Sequence, residues 1–213
     1  MITLHDFDLS GNCYKVRLLL GILGIDYTRR NIDFFPGMKH KAPEFLAINP
    51  LGQLPVLDDG DLRLRDSHAI LVYLATRYDA SGLWYPTGNP ALLGEIQQWL
   101  SLADGLSATA SAARLAIGMD FDVDLPRAQA GAHRLFAILD EQLWFNEAEG
   151  RDWLCSAPHP TLADLACFPY VMLSEEGGIP REDYPALRRW TDRVKRIPGF
   201  AVMPGIFPAT LGA

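Results

Sequence analysis

The segment LSGNCYKV, residues 9–16, sets Ser10, Asn12 and Cys13 within four positions, directly after a short apolar stretch. A helix starting here offers unpaired backbone N–H groups and the positive end of its dipole, surroundings that favour an anion such as a thiolate. A serine hydroxyl at that point can donate a hydrogen bond to the anion. Lowering a thiol pKa by roughly two pH units takes about 2.7 kcal/mol, within reach of one charge-assisted bond plus the dipole. Ser10 is equally suited to cap the helix. Cys13 is placed to be a first-turn nucleophile, yet Cys13, Val16, Leu20 and Leu23 fall on one apolar stripe, which points to a buried thiol. Asn12 either solvates the first turn or helps to hold an anion.

Two further stretches carry chemistry. In NPLGQLPVL, residues 49–57, Pro55 opens a strand after a glycine-containing turn. A cis bond before it would display the Leu54 backbone for pairing with an extended peptide; a trans bond makes it an ordinary strand start. In RDSHAILVYL, residues 65–74, Asp66 and Ser67 open another helix. That end has hydroxyl and N–H groups for a carboxylate and an acid for an ammonium, so it is either a receptor for the α-amino acid end of a peptide or a routine cap. His68 is read as a surface residue, and His5, His133 and His159 have no evident partner.

The elements that position these residues follow from periodicity. Residues 2–4 form a strand, Ser10 caps a helix with Val16, Leu19, Leu20 and Leu23 inside, Gly24 stops it, and a strand over 27–32 completes a βαβ unit. LPVL and LRL flank Asp58, Asp59, Gly60 and Asp61 as an antiparallel hairpin, followed by a helix with Ile70, Leu71 and Leu74 inward. The order βαβ then ββα makes an α/β domain over residues 1–79. The Gly- and Pro-rich SGLWYPTGNP places a linker at 80–89. Residues 90–213 read as an all-α bundle with helices near 91–117, 127–147, 162–173 and 186–196, the third opened by Thr161 and Asp164 in capping-box spacing.

Composition narrows the function. Of the 213 residues 49% are hydrophobic, enough for one large domain or two small ones. A net charge of −7 without a basic stripe argues against nucleic acid as a partner. The N-terminus has acidic residues where a secretory signal is basic, and the apolar VRLLLGILGI falls short of the roughly 20 residues that span a bilayer, so neither export nor a membrane is expected. Cys13, Cys155 and Cys167 lack metal-ligand spacing; a reducing cytoplasm and no metal are expected.

Taken together, S-x-N-C-x-K-V, NP-L-G-Q-L-P-V-L, D-S-x-A-I and the later T-L-A-D resemble the cytosolic glutathione transferases along essentially the whole chain. The resemblance implies a thioredoxin-like N-terminal domain, an α-helical second domain, glutathione as co-substrate with no permanent cofactor, and a homodimer pairing the N-terminal domain of one subunit with the α-domain of the other. Ser10 matches the serine that hydrogen-bonds the glutathione thiolate in serine-type classes such as theta and zeta, with Asn12 assisting, as in a nu-class Thr-x-Asn segment. Pro55 matches the family's cis-proline and Leu54 the residue pairing with the cysteinyl backbone. Asp66 and Ser67 match the pair holding the γ-glutamyl end; Gln53 and His40 match positions reaching the glycine carboxylate, and Cys13 stands beside the same ligand. Topology puts the electrophile, the second substrate, near Leu106, Thr109 and Arg114. Residues 5–8, His-Asp-Phe-Asp, contain no tyrosine, which disfavours the tyrosine-type classes. The chemistry implied is conjugation of an electrophilic small molecule, with glutathione-dependent disulfide reduction or a noncatalytic binding role as alternatives.

Overall fold

The structure is a computed structural model that describes residues 1–208; positions 209–213 of the expected helical region lie outside the described residues. Strand β1 (Ile2–Asp6) runs into helix α1 (Gly11–Ile22) and returns as β2 (Tyr27–Asn31), parallel to β1. A short helix α2 (Pro43–Leu46) precedes β3 (Val56–Asp59) and β4 (Leu62–Arg65), and α3 (Ser67–Tyr78) closes the unit. The sheet order is β2-β1-β3-β4, with β3 antiparallel to both its neighbours. Asp59 pairs with Leu62 across a two-residue turn whose first member, Gly60, has φ +60°. That left-handed geometry matches strand twist and favours glycine.

Why α1 is held so firmly explains the site. Cys13, Val16, Leu19 and Leu20 are fully buried, and α1 packs against α3 and against the later helix Leu162–Met172, so apolar residues are required nearly all round it. Arg17 reaches back to β1, its Nη1 2.5 Å from Asp6 Oδ1, and also donates to the carbonyls of Phe7 and Asp8. The turn leading to Ser10 is thereby tied to the helix it opens.

Beyond residue 89 the described chain is helical: α4 (Pro90–Leu106), a π-helical turn (Ser107–Ser111), α5 (Ala112–Met119), α6 (Leu125–Ala148), α7 (Leu162–Met172) and α8 (Pro185–Val194). The single helix expected over 91–117 is therefore interrupted. Ser107 and Thr109 hydroxyls donate to the carbonyls of Ala103 and Gly105, four residues back, at 3.2 and 2.6 Å. Such bonds compete with the regular backbone ladder and accompany helix distortion. Helix α7 is buried from Leu162 to Val171 and opens on the expected capping box, with Thr161 and Asp164 bonding reciprocally. One continuous core joins the sheet side to the bundle, with Tyr14 of α1 and Phe168 of α7 in ring contact at 6.5 Å. No helix among the described residues is long and apolar enough to cross a membrane.

Candidate active site

A cleft of about 450 Å³ opens where the N-terminus of α1, the loop before β3, the N-terminus of α3 and the α4–α5 run converge. Ser10, Asn12, Gln53, Leu54, Pro55, Asp66 and Ser67 all line it, brought together from three separate stretches of chain. Ser10 is the α1 N-cap, its hydroxyl accepting the Cys13 N–H at 3.2 Å. The Asn12 side-chain oxygen accepts the Ser67 hydroxyl at 3.5 Å, and the Ser107 hydroxyl, whose one proton is shared with the Ala103 carbonyl, lies 3.4 Å away. With its oxygen turned toward these hydroxyls, the amide has its N–H groups left as donors. The loop before β3 is held by Asn49, whose amide donates to the Gln53 carbonyl at 2.8 Å while its oxygen accepts the Leu51 N–H. Gly52 has φ +57°, and a Cβ there would stand 2.9 Å from the His40 carbonyl, so glycine is required. The Leu54–Pro55 bond is cis.

Asp66 caps α3 by accepting the N–H groups of His68 and Ala69, both at 2.9 Å. Its φ of +80° is unusual for a residue with a side chain, and such backbone clusters at ligand-binding positions. Asp104 of α4 brings a second carboxylate to the same end of the cleft. Asp66, His68 and Asp104 offer oxygen and nitrogen atoms within 4.8 Å of one another. Both ring nitrogens of His68 are already engaged, however, Nδ1 3.3 Å from Asp104 and Nε2 3.0 Å from Lys15 Nζ. The opposite end is apolar, formed by Phe7, Leu9, Phe34, Leu115 and Met119.

Four expected positions lie elsewhere. Cys13 is fully buried, and burial pushes its thiol up to about 12, so it is neither a ligand contact nor a ready nucleophile. His40 lies beneath Phe34, ring centroids 4.0 Å apart, and the phenyl ring is what faces the cleft. Leu106 is in the core, and Thr109 turns its methyl toward Gly131 of α6. The cleft face of this run carries Asp104, Ser107, Ala108, Ser111 and Leu115, while Leu106 and Thr109 do not line it. Arg114 does line the cleft, with Nη1 2.5 Å from the Leu9 carbonyl and Nε paired with Glu176. The residues that sequence reasoning missed are Asp104, Ser107, Ser111 and Tyr170, along with the aromatic wall. The in-phase spacing of the first three was readable along the helix, whereas nothing in the sequence of α7 marks Tyr170.

Residues 4–82 match the family model described as the glutathione S-transferase N-terminal domain. Glutathione S-transferase GstB of Escherichia coli strain K12 is 32% identical over 211 residues, covering 93% of this chain and 95% of that protein. The chain belongs to the glutathione transferase family. Human glutathione S-transferase theta-2 is 32% identical over 182 residues, 83% of this chain and 73% of that protein. The solved structure of Ure2p in complex with glutathione is similar with a TM-score of 0.77 at 27% identity, covering 93% of this chain and 95% of that one. The four-stranded sheet with its helices is thus the thioredoxin-like half of a transferase, followed by the helical half.

The histidines of this transferase differ from their sequence reading. His5 pairs with Asp58 at 2.9 Å, His133 Nδ1 lies 2.8 Å from the Tyr184 hydroxyl, and His159 Nδ1 lies 3.1 Å from the Pro160 carbonyl. His68 is a buried residue, because it precedes Leu71 by three and shares its inward face. Burial, and then the Lys15 ammonium beside it, pull its pKa down to about 3; burial likewise lowers Lys15 to about 8. The unfolded chain takes up a proton on this imidazole below its ordinary value of 6.5, and the folded chain refuses it until about 3. Stability should therefore fall on acidification across that window, by about 2 kcal/mol at about pH 5. Urea titrations at stepped pH check this. His68→Gln, which keeps an acceptor for Lys15, should flatten the slope between about pH 6.5 and 5 to what His40, lowered for the same reason, supplies.

Proposed function

We propose that this transferase binds reduced glutathione along the cleft, holds its thiol as the thiolate with Ser10 and Asn12, and passes it to an electrophilic small molecule. The observation that carries the reading is the convergence of Ser10, Asn12, Gln53, Leu54, Pro55, Asp66 and Ser67 on one cleft. In this reading the γ-glutamyl ammonium meets Asp66 and Asp104, and its carboxylate meets the Ser67 backbone N–H at the α3 N-terminus. The Leu54 backbone pairs with the cysteinyl unit, and Gln53 faces the glycine end. The sulfur then lies at the α1 N-terminus, where Ser10 and the Asn12 amide donate to it. The thiol proton leaves to solvent, a C–S bond forms, and the leaving group departs with its bonding electrons. Phe7, Phe34, Leu115 and Met119 favour a flat, apolar electrophile.

Glutathione conjugation of chlorodinitrobenzene tests the proposal, with chloride release equal to conjugate formed. Cys13→Ala should keep turnover within about twofold, because a thiol raised to about 12 supplies no thiolate at neutral pH. Loss of turnover in that variant, in conjugation or in mixed-disulfide reduction, would transfer the nucleophile to the protein itself.

The same reading includes a homodimer and a cytoplasmic setting. An open groove between β4, α3 and α4, lined by Leu62, Leu64, Val72, Tyr73 and Leu100, is suited to an α-domain face of a second copy. All three cysteines are free and buried, in keeping with reducing surroundings.

A further inference from the structure

We propose that the Tyr170 hydroxyl is a catalytic donor to the glutathione sulfur, delivered from the helical half to the N-terminus of α1; this rests on the reading that places the thiolate there. Tyr170 sits on α7, whose other residues from Leu162 to Val171 serve the core, yet it lines the cleft while only 4% exposed. Its ring lies against the backbone of Gly11. A Cβ at that position would stand 2.6 Å from Tyr170 Cε1 and 2.9 Å from Cζ, so the absence of a side chain lets the phenol reach the helix end. Lys15 Nζ lies over the ring, 5.4 Å from its centroid, and holds the aromatic plane in place.

The hydroxyl is equally well fixed. Its oxygen accepts the backbone N–H of Asn12 at 3.1 Å, one of the donors that a helix start leaves without an intrahelical partner. The Ser111 hydroxyl lies beside it. An oxygen that accepts from an N–H becomes a stronger donor through its own proton. The sequence N–H to O–H to sulfur therefore carries the positive end of α1 into the cleft through the phenol. Burial raises the Tyr170 pKa above the ordinary tyrosine value, so at neutral pH the group is a donor and not a base. The Asn12 N–H accounts for one lone pair of this oxygen and leaves the phenol's own proton, at the wall of the cleft, to be given to what binds there. The end of β1 has no tyrosine, and a phenol reaches the same helix terminus from the other half of the chain.

The test is Tyr170→Phe in the full chain, which keeps the ring against Gly11. Two quantities are measured on the wild type and the variant: the thiol pKa of bound glutathione, from thiolate absorbance against pH, and the affinity for S-methylglutathione, which has no thiolate to stabilise. The expected result is a thiol pKa about one pH unit higher and kcat/KM for chlorodinitrobenzene about tenfold lower near neutral pH, with S-methylglutathione affinity unchanged. An unchanged thiol pKa overturns the proposal, whether or not S-methylglutathione affinity falls, and makes Tyr170 a packing residue. A wild type that leaves the thiol of bound glutathione at its free value overturns the reading of the site itself, and this inference with it.

Discussion

Replacing Ser10 by glycine should lower kcat/KM for glutathione conjugation about 100-fold at neutral pH, the equivalent of about two pH units in the thiol pKa. Glycine is the informative substitution because at an N-cap it costs only a few tenths of a kcal/mol relative to serine, whereas alanine costs about 1 kcal/mol. The Cys13 N–H loses its hydroxyl acceptor at 3.2 Å, but it lies at an open helix end beside a cleft that water can enter. Stability and activity are therefore separated in one variant. The acid limb of the kcat/KM profile should move to higher pH, and the two enzymes should converge at alkaline pH, where thiolate forms without help. A Ser10→Gly profile that overlays the wild type would leave Ser10 a cap and nothing more. The thiolate would then depend on Asn12, Tyr170 and the dipole.

The largest effect on stability is expected at Asp164→Ala. This carboxylate, wholly buried at the start of α7, accepts the Thr161 N–H at 2.9 Å, the Leu154 N–H at 3.1 Å and the Trp190 indole N–H at 2.8 Å. Alanine leaves all three donors buried without a partner, at about 1–3 kcal/mol each, a total of roughly 3–9 kcal/mol against a typical stability of about 5–15 kcal/mol. For a chain of this size that is a fall in Tm of at least about 6 °C. Asp164→Asn, which keeps an acceptor of the same shape, should fall between the two. A thermal scan in which Asp164→Ala melts within about 2 °C of the parent would show that water replaces the carboxylate, and that α7 does not depend on its box.

These two residues were legible because each acts through local geometry. Ser10 stands one residue before a helix, and Thr161 and Asp164 are three apart; spacing alone puts their side chains at backbone N–H groups. The elements read in the same way, since alternation and helical period mark the strands and helices, and Gly60 marks the hairpin turn. The errors arise where one element's surroundings decide. His68 reads as polar and exposed until α1 lays Lys15 against it. The cleft face of the α4–α5 run depends on which side of that helix meets α3 and the α1 terminus, so a choice of Leu106 and Thr109 was out of phase with it. His40 occupies the expected stretch, but Phe34 stacks over it.

By itself, the sequence determined the βαβ-ββα order of the first half, the caps that start α1, α3 and α7, and the placing of Ser10, Asn12, Asp66 and Ser67 at helix starts. Periodicity and capping act over a few residues and need no knowledge of what lies across the fold. Only the tertiary structure decided that the Asn12 amide oxygen meets the Ser67 hydroxyl of α3, with Ser107 of the π-helical turn beside it. It alone brought Asp104 beside Asp66, closed Cys13 into the core, and set the Tyr170 phenol on Asn12 across 158 positions of chain. Those contacts join residues distant in sequence, and their geometry follows from how α7 and α4 pack on α1 and α3. No local pattern in either partner encodes it.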